Sequence, residues 1–181
     1  HDFLESNMTR LDAITPIIDS LNNENIVYYK NRGVYDDENI QWVVFSLMEH
    51  NLPPIIEKSD KTKIGLFHGP ISGLKTDLGF EFGEEAYDVD KFDGLDVVLC
   101  GDIHKRQTFK LPEGKGYAYM IGSFIQQNFS ETINHHGYGI YDIAEKKYEF
   151  HNIHNEQPYL HFSISDIKDI ENEEEELLNA G

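Results

Sequence analysis

Leu11, Ile14, Ile17, Ile18 and Leu21 recur at the three- and four-residue spacing of a helix face, which predicts a helix over Thr9 to Leu21. Thr9 or Asn7 is placed to cap it, and Pro16 inside the run implies either a kink or a later start. Beyond residue 24 the pattern changes to short apolar runs between turn residues. Asn25–Lys30 reads as a strand, Asn31-Arg32-Gly33 as a turn, and Val34-Tyr35 with Ile40–Leu47 as paired strands around Asp36-Asp37-Glu38-Asn39. Trp42 to Phe45 is apolar on both faces, as in a central strand. Residues 50–62 are a mostly polar loop. Lys63–His68 is the next strand, ending at Gly69-Pro70.

Ser72–Tyr87 carries Gly73, Gly79 and Gly83 and reads as irregular, followed by a short helix at Val89–Phe92 and a strand at Asp96–Cys100. Gln107–Leu111 and Tyr117–Ile121 form a hairpin around Pro112-Glu113-Gly114-Lys115-Gly116. Tyr138–Ile143 and Lys147–Asn152 form another around Ala144-Glu145-Lys146. His154–Gln157 is a short polar link, and Tyr159–Ile164 begins a new element. The pattern predicts a mixed α/β architecture with many strands, few helices and no internal repeat. Its main unit spans residues 1–153, and residues 154–181 are a linker and the start of a further domain with an acidic tail.

The chemistry collects where strands end. Val98-Leu99-Cys100 runs into Gly101-Asp102-Ile103-His104, and Leu66-Phe67 runs into His68-Gly69. Alternate residues of an extended chain point the same way, so Asp102 and His104 can converge on one site, or on two neighbouring ions if the turn fans them out. His68, Asp102 and His104 offer imidazole nitrogen and carboxylate oxygen, a set that suits Mn²⁺, Zn²⁺ or Fe²⁺ better than a thiolate-only structural site would. A third fragment of the kind, His1-Asp2, opens the chain.

Composition bounds the rest. With 181 residues, 39% apolar and 12% aromatic, the chain can bury one substantial core. It contains no run of 18 apolar residues, so no membrane span is expected. One cysteine, Cys100, excludes an internal disulfide, fits a reducing cytoplasmic setting, and reads as a buried small hydrophobe. A net charge of −18 argues against a broad basic groove for nucleic acid, but metal ions can supply local positive charge. Part of the excess lies in the acidic run Glu171 to Glu176.

In order along the chain, these fragments resemble the second half of a calcineurin-like metallophosphoesterase domain. More narrowly, they resemble the nuclease subunit of SbcC–SbcD-type DNA-repair complexes, including phage homologues. His1-Asp2 is similar to the tail of that family's Gly-Asn-His-Asp motif, Phe67-His68-Gly69 to its strand-end His-Gly, and Gly101-Asp102-Ile103-His104 to its Gly-His-x-His. Ile121-Gly122-Ser123, Gln126-Gln127-Asn128-Phe129, His136-Gly137-Tyr138 and Pro158-Tyr159-Leu160 are further echoes. The resemblance implies a two-sheet β-sandwich flanked by helices, in four αββα layers, truncated at its N-terminal part.

It implies that His68 and Asp102 bind one divalent ion and His104 a second. His1 would hydrogen-bond the scissile phosphate or protonate the leaving oxygen. Two ions about 3.5–4 Å apart activate water and neutralise phosphate charge. Mn²⁺ is the expected metal, with Fe, Zn and Mg as alternatives. Asp102 stands where the family has His, which favours harder ions. Lys105, Arg106 and His136 are the candidate substrate-binding residues; the turn holding His135 and His136 can equally be solvent-exposed, and Gln126 to Asn128 can either bind phosphate or cap a loop.

The implied function is phosphodiester hydrolysis on DNA, with an SbcC-like ATPase partner and room for a homodimer, in a bacterial or phage-infected cytoplasm. A phosphatase or phosphodiesterase of the same superfamily, or a scaffold that lost its metals, are the alternatives. Since the family's bridging Asp lies in motifs upstream of the third, the chain alone is expected to be an inactive fragment.

Overall fold

The computed structural model describes residues 12–46, 53–56 and 58–160. Among these residues a helix, α1, spans Ile14–Leu21, and eight strands follow: β1 Gly33–Asp37, β2 Ile40–Phe45, β3 Thr62–His68, β4 Val97–Gly101, β5 Gln107–Lys110, β6 Tyr117–Met120, β7 Gly137–Asp142 and β8 Lys147–Asn152. Six form one mixed sheet in the order β1-β2-β3-β4-β6-β5, and β7 and β8 pair as a separate antiparallel hairpin. β2, β3, β4 and β6 run parallel; β1 and β5 are antiparallel edges. The described residues are thus α/β, with a six-stranded mixed sheet and few helices.

The parallel strands carry the core on the face that the β3–β4 connection covers, while Leu66 and Leu99 on the opposite face stay partly exposed. On one face, Val43 and Phe45 of β2, Val98 and Cys100 of β4, and Ala118 and Met120 of β6 pack under Ile71, Leu74, Phe92 and Leu95 from the long β3–β4 connection. Gly65 on β3 makes that possible. A Cβ there would lie 2.8 Å from Leu95 Cδ1 and 3.1 Å from Val98 Cγ2, so a side chain would displace both. Phe92 closes the 3₁₀ turn Val89–Phe92, the expected short helix. Cys100 is 1% exposed and burial pushes its thiol up to about 12, in keeping with an inert core residue. On the other face, Tyr148 of β8 stacks on Tyr119 of β6 with ring centroids 3.9 Å apart, which seats the hairpin against the sheet.

Two expectations change in detail. Residues 25–30 form no strand. Side chains hold this segment where a ladder was expected: Ser46 Oγ donates to the Lys30 carbonyl at 2.7 Å, Lys30 pairs with Asp12, and the Tyr29 ring lies 4.4 Å from that of Tyr35. The described helix starts at Ile14, which puts Pro16 in its first turn, where a missing N–H costs nothing. The N-cap residue is Ala13, and the residue before it, Asp12, satisfies the first turn: its Oδ1 accepts from the amides of Ile14 at 3.0 Å and Thr15 at 2.6 Å. The proposed caps Asn7 and Thr9 lie outside the described residues, as do His1-Asp2, Leu47, the end of the Tyr159–Ile164 element and the acidic run 171–176.

Asp12 also gathers the Thr15 hydroxyl, the Tyr28 hydroxyl and the Lys30 ammonium. The Lys30 hydrogen bond, then those of Thr15, hold its carboxyl well below the usual carboxylate range. A carboxyl depressed on folding adds stability above its unfolded pKa of about 3.9 and loses it as pH falls through the folded value. Urea midpoints should therefore fall between about pH 5 and pH 2 more steeply in the native chain than in Asp12→Asn. Parallel pH dependences in the two would show that the cluster does not contribute.

Candidate functional site

His68 is the last residue of β3 and is paired in register with Gly101, the last of β4. Both strands are parallel, so both ends open at the carboxyl edge of the sheet, where α/β folds place their ligands. The chain then turns. Asp102 takes φ +92°, a value few residues other than glycine adopt, at a cost on the order of 1–3 kcal/mol. The turn carries its carboxylate back to β3: His68 Nε2 is 3.5 Å from Asp102 Oδ1. Gly101 leaves room for this, since a Cβ there would stand 3.1 Å from His68 Nδ1.

Two residues on, His104 is half-exposed and its Nδ1 is 2.7 Å from Oε1 of Glu131, a side chain only 6% exposed. The His104 carbonyl accepts from Ser123 N at 3.0 Å, which ties this turn to the loop after β6. Gly122 sits between them with φ +85°. A Cβ at that position would meet the His104 carbonyl oxygen at 2.7 Å, so only glycine lets the two loops approach so closely.

The substrate candidates surround a recess of about 360 Å³ beside His104. Lys105 Nζ reaches the Thr76 carbonyl at 3.4 Å and the Asp77 carboxylate at 3.7 Å. Arg106 lies over the Phe150 ring at 3.7 Å, donates to Asn152 Oδ1 at 3.5 Å, and has Nη2 3.3 Å from His135 Nδ1. His136 contributes to the recess from a buried position, 3% exposed, with Nδ1 2.8 Å from Ser123 Oγ and Nε2 2.6 Å from the Thr132 carbonyl. Its ring nitrogens are used inside the protein, where they fix the loop that forms the recess. Gln126 is also buried, and its amide clamps the backbone of Tyr159 from both sides: Nε2 donates to the carbonyl at 3.1 Å and Oε1 accepts from the amide at 2.8 Å. Of the two readings of that segment, the loop-holding one describes Gln126.

Glu131 was not among the residues singled out from the sequence. In Asn128-Phe129-Ser130-Glu131 it reads as one more polar loop residue, and nothing in local periodicity signals burial. The available hint was its place just after the run Gln126-Gln127-Asn128, a cluster of amides that a carboxylate can organise.

The donor chemistry at the sheet edge fits a divalent cation in kind. Imidazole and carboxylate from adjacent strands face each other, and a second imidazole follows on the same turn. It falls short in number: among the described residues no group of three or more His, Cys, Asp or Glu side chains is arranged to hold a metal ion. Also among the described residues, no helix is long and apolar enough to cross a membrane.

No family model and no solved structure matches this chain. The chain is similar to an uncharacterized protein of Acanthamoeba polyphaga mimivirus, 35% identical over 182 residues that cover 94% of this chain and 13% of the relative. The chain spans about an eighth of the length of the relative it matches.

Proposed function

We propose that this chain is part of a metal-dependent phosphodiester hydrolase of the metallophosphoesterase type acting on DNA, with Mn²⁺ as its metal. One observation carries the reading. His68 ends β3, Asp102 directly follows the end of the neighbouring parallel strand β4, and the two meet at 3.5 Å, at the cost of a strained backbone at Asp102. Strain of that kind persists where a side chain has to be aimed, and it clusters at functional sites. The sandwich belongs to the same proposal: the six-stranded sheet is one layer pair's inner sheet, and β7–β8, seated on it through Tyr119 and Tyr148, belongs to the other.

In this reading His68 and Asp102 hold one ion and His104 the other. Ions held there would supply Lewis acidity toward the phosphate and a nucleophile at neutral pH. The chain's own residues do the rest. The Asp102 turn aims its carboxylate at His68. Lys105 and Arg106 stand at the recess beside His104, where they meet phosphate oxygens of a nucleic-acid backbone. Asp77 and Phe150 keep those two cations in place. An SbcC-like ATPase partner and a cytoplasmic location complete the proposal.

The test compares the whole protein with this chain. The whole protein should cleave DNA when Mn²⁺ is added and not when it is chelated. This chain should bind Mn²⁺ weakly or not at all by calorimetry, since His68 and Asp102 supply only two ligands at one place. Tight binding of two ions by the chain alone would contradict this ligand assignment. A whole protein that cleaves neither DNA nor a simple phosphodiester would favour the non-catalytic scaffold.

A further inference from the structure

Two histidines of this region are wired in opposite senses. His136 Nε2 faces the Thr132 carbonyl at 2.6 Å, and a carbonyl only accepts. That nitrogen therefore carries the proton, and Nδ1 accepts from the Ser123 hydroxyl at 2.8 Å. His104 Nδ1 faces Glu131 Oε1 at 2.7 Å. The same carboxylate accepts from the Asn128 side-chain amide at 2.7 Å and from the Gln127 backbone N–H at 2.8 Å. A buried carboxylate surrounded by donors acts as an acceptor, so on His104 it is Nδ1 that carries the proton. Its Nε2 is then left with a lone pair, on a ring whose side chain is 48% exposed while Glu131 is 6% exposed.

We propose that Glu131 is a positioning residue for His104. It fixes the Nδ1–H tautomer and the ring's orientation, so that Nε2 is presented as a ready electron-pair donor. A histidine that ligates through one nitrogen and donates through the other to a carboxylate is oriented and made more basic by that partner. The loop is built for this. Burying a carboxylate is costly unless its oxygens are satisfied. Residues 127 and 128 satisfy part of its capacity, the Ser123 hydroxyl lies at a longer 3.5 Å, and His104 adds a further donor. What the lone pair is used for rests on the hydrolase reading above; the tautomer does not.

The experiment is long-range ¹H–¹⁵N correlation NMR on this chain with ¹⁵N-labelled histidine, at a fixed pH about two units above the ordinary histidine pKa of ~6.5. His104 should show a protonated Nδ1 and a bare Nε2, and His136 the reverse. Glu131→Gln puts an NH₂ donor among donors, so the His104 pattern should shift toward protonated Nε2 while His136 keeps its own and reports that the loop is intact. In the whole protein the same variant should lower Mn²⁺-dependent cleavage roughly 10–100-fold, the usual effect of losing such a partner.

A native spectrum with His104 protonated on Nε2 overturns the proposal, whatever the cleavage assay gives. So does a Glu131→Gln spectrum unchanged at His104. If Glu131→Gln does not fold, the native spectrum still decides. The expected tautomers in a whole protein that cleaves nothing would overturn the hydrolase reading and leave the positioning role standing.

Discussion

His104→Ala in the whole protein is expected to reduce Mn²⁺-dependent DNA cleavage by roughly a thousandfold or more. A metal ion contributes several kcal/mol of charge stabilisation to a phosphoryl transition state, and about 4 kcal/mol corresponds to a thousandfold in rate. The truncation removes the half-exposed His104 ring, while Glu131 keeps its donors at Gln127 and Asn128. The loop should therefore survive and the loss should be chemical, which a native-like thermal transition would establish. His154→Ala, at an exposed position in the polar link, should cleave at the native rate.

The neighbouring exchange Asp102→His makes the opposite kind of change. Histidine is among the residues that tolerate a positive φ, so the turn can persist. Replacing a hard oxygen by imidazole should retain ion binding and move preference from Mn²⁺ toward softer ions. A His104→Ala protein that cleaves within about threefold of native, a difference of well under 1 kcal/mol, would remove His104 from the site.

Much of the sheet was legible because it depends on local rules. The hairpins β1–β2, β5–β6 and β7–β8 follow from apolar runs separated by short polar turns, and each turn contains a residue at positive φ: Glu38, Glu113 with Gly114, and Lys146. The juxtaposition of His68 and Asp102 was legible for a related reason. A strand running into glycine declares both its direction and its end, so His68 and Asp102 could be set side by side before any pairing was known. What was not legible depends on contacts distant in sequence. Residues 25–30 have a strand's composition, but they meet side chains of Asp12, Tyr35 and Ser46 and no ladder partner. The parallel pairing of β3 with β4 depends on the long β3–β4 connection folding over one face, which no turn motif announces. Glu131 is the sharpest case. Its burial exists only because the loop after β6 folds back under the Asp102 turn, so the residue that orients His104 looks like solvent-exposed loop in the chain.

Phe92→Ala should be the most destabilising single truncation in the described core. Phe92 is fully buried, and its ring centroid lies 5.1 Å from Phe45, 5.2 Å from Phe67 and 5.2 Å from Tyr87. Phe→Ala in a packed core costs about 3–5 kcal/mol, and each lost aromatic pair adds about 0.5–1.5 kcal/mol. Against the roughly 5–15 kcal/mol that holds a domain folded, this leaves little reserve. For a chain of this size it corresponds to a fall in Tm on the order of 10 °C or more.

The effect should not stay local to the β3–β4 connection. Phe67, one of the three rings, immediately precedes His68, so a cavity at residue 92 loosens the strand that carries one of the proposed ligands. Leu78→Ala is the control, because Leu78 is 78% exposed and its truncation should stay within about 0.5 kcal/mol of native. Denaturant titration followed by circular dichroism measures both. A Phe92→Ala protein less than about 1 kcal/mol weaker than native would mean that the aromatic cluster is not what ties the β3–β4 connection to the sheet. His68 would then owe its position to strand pairing alone.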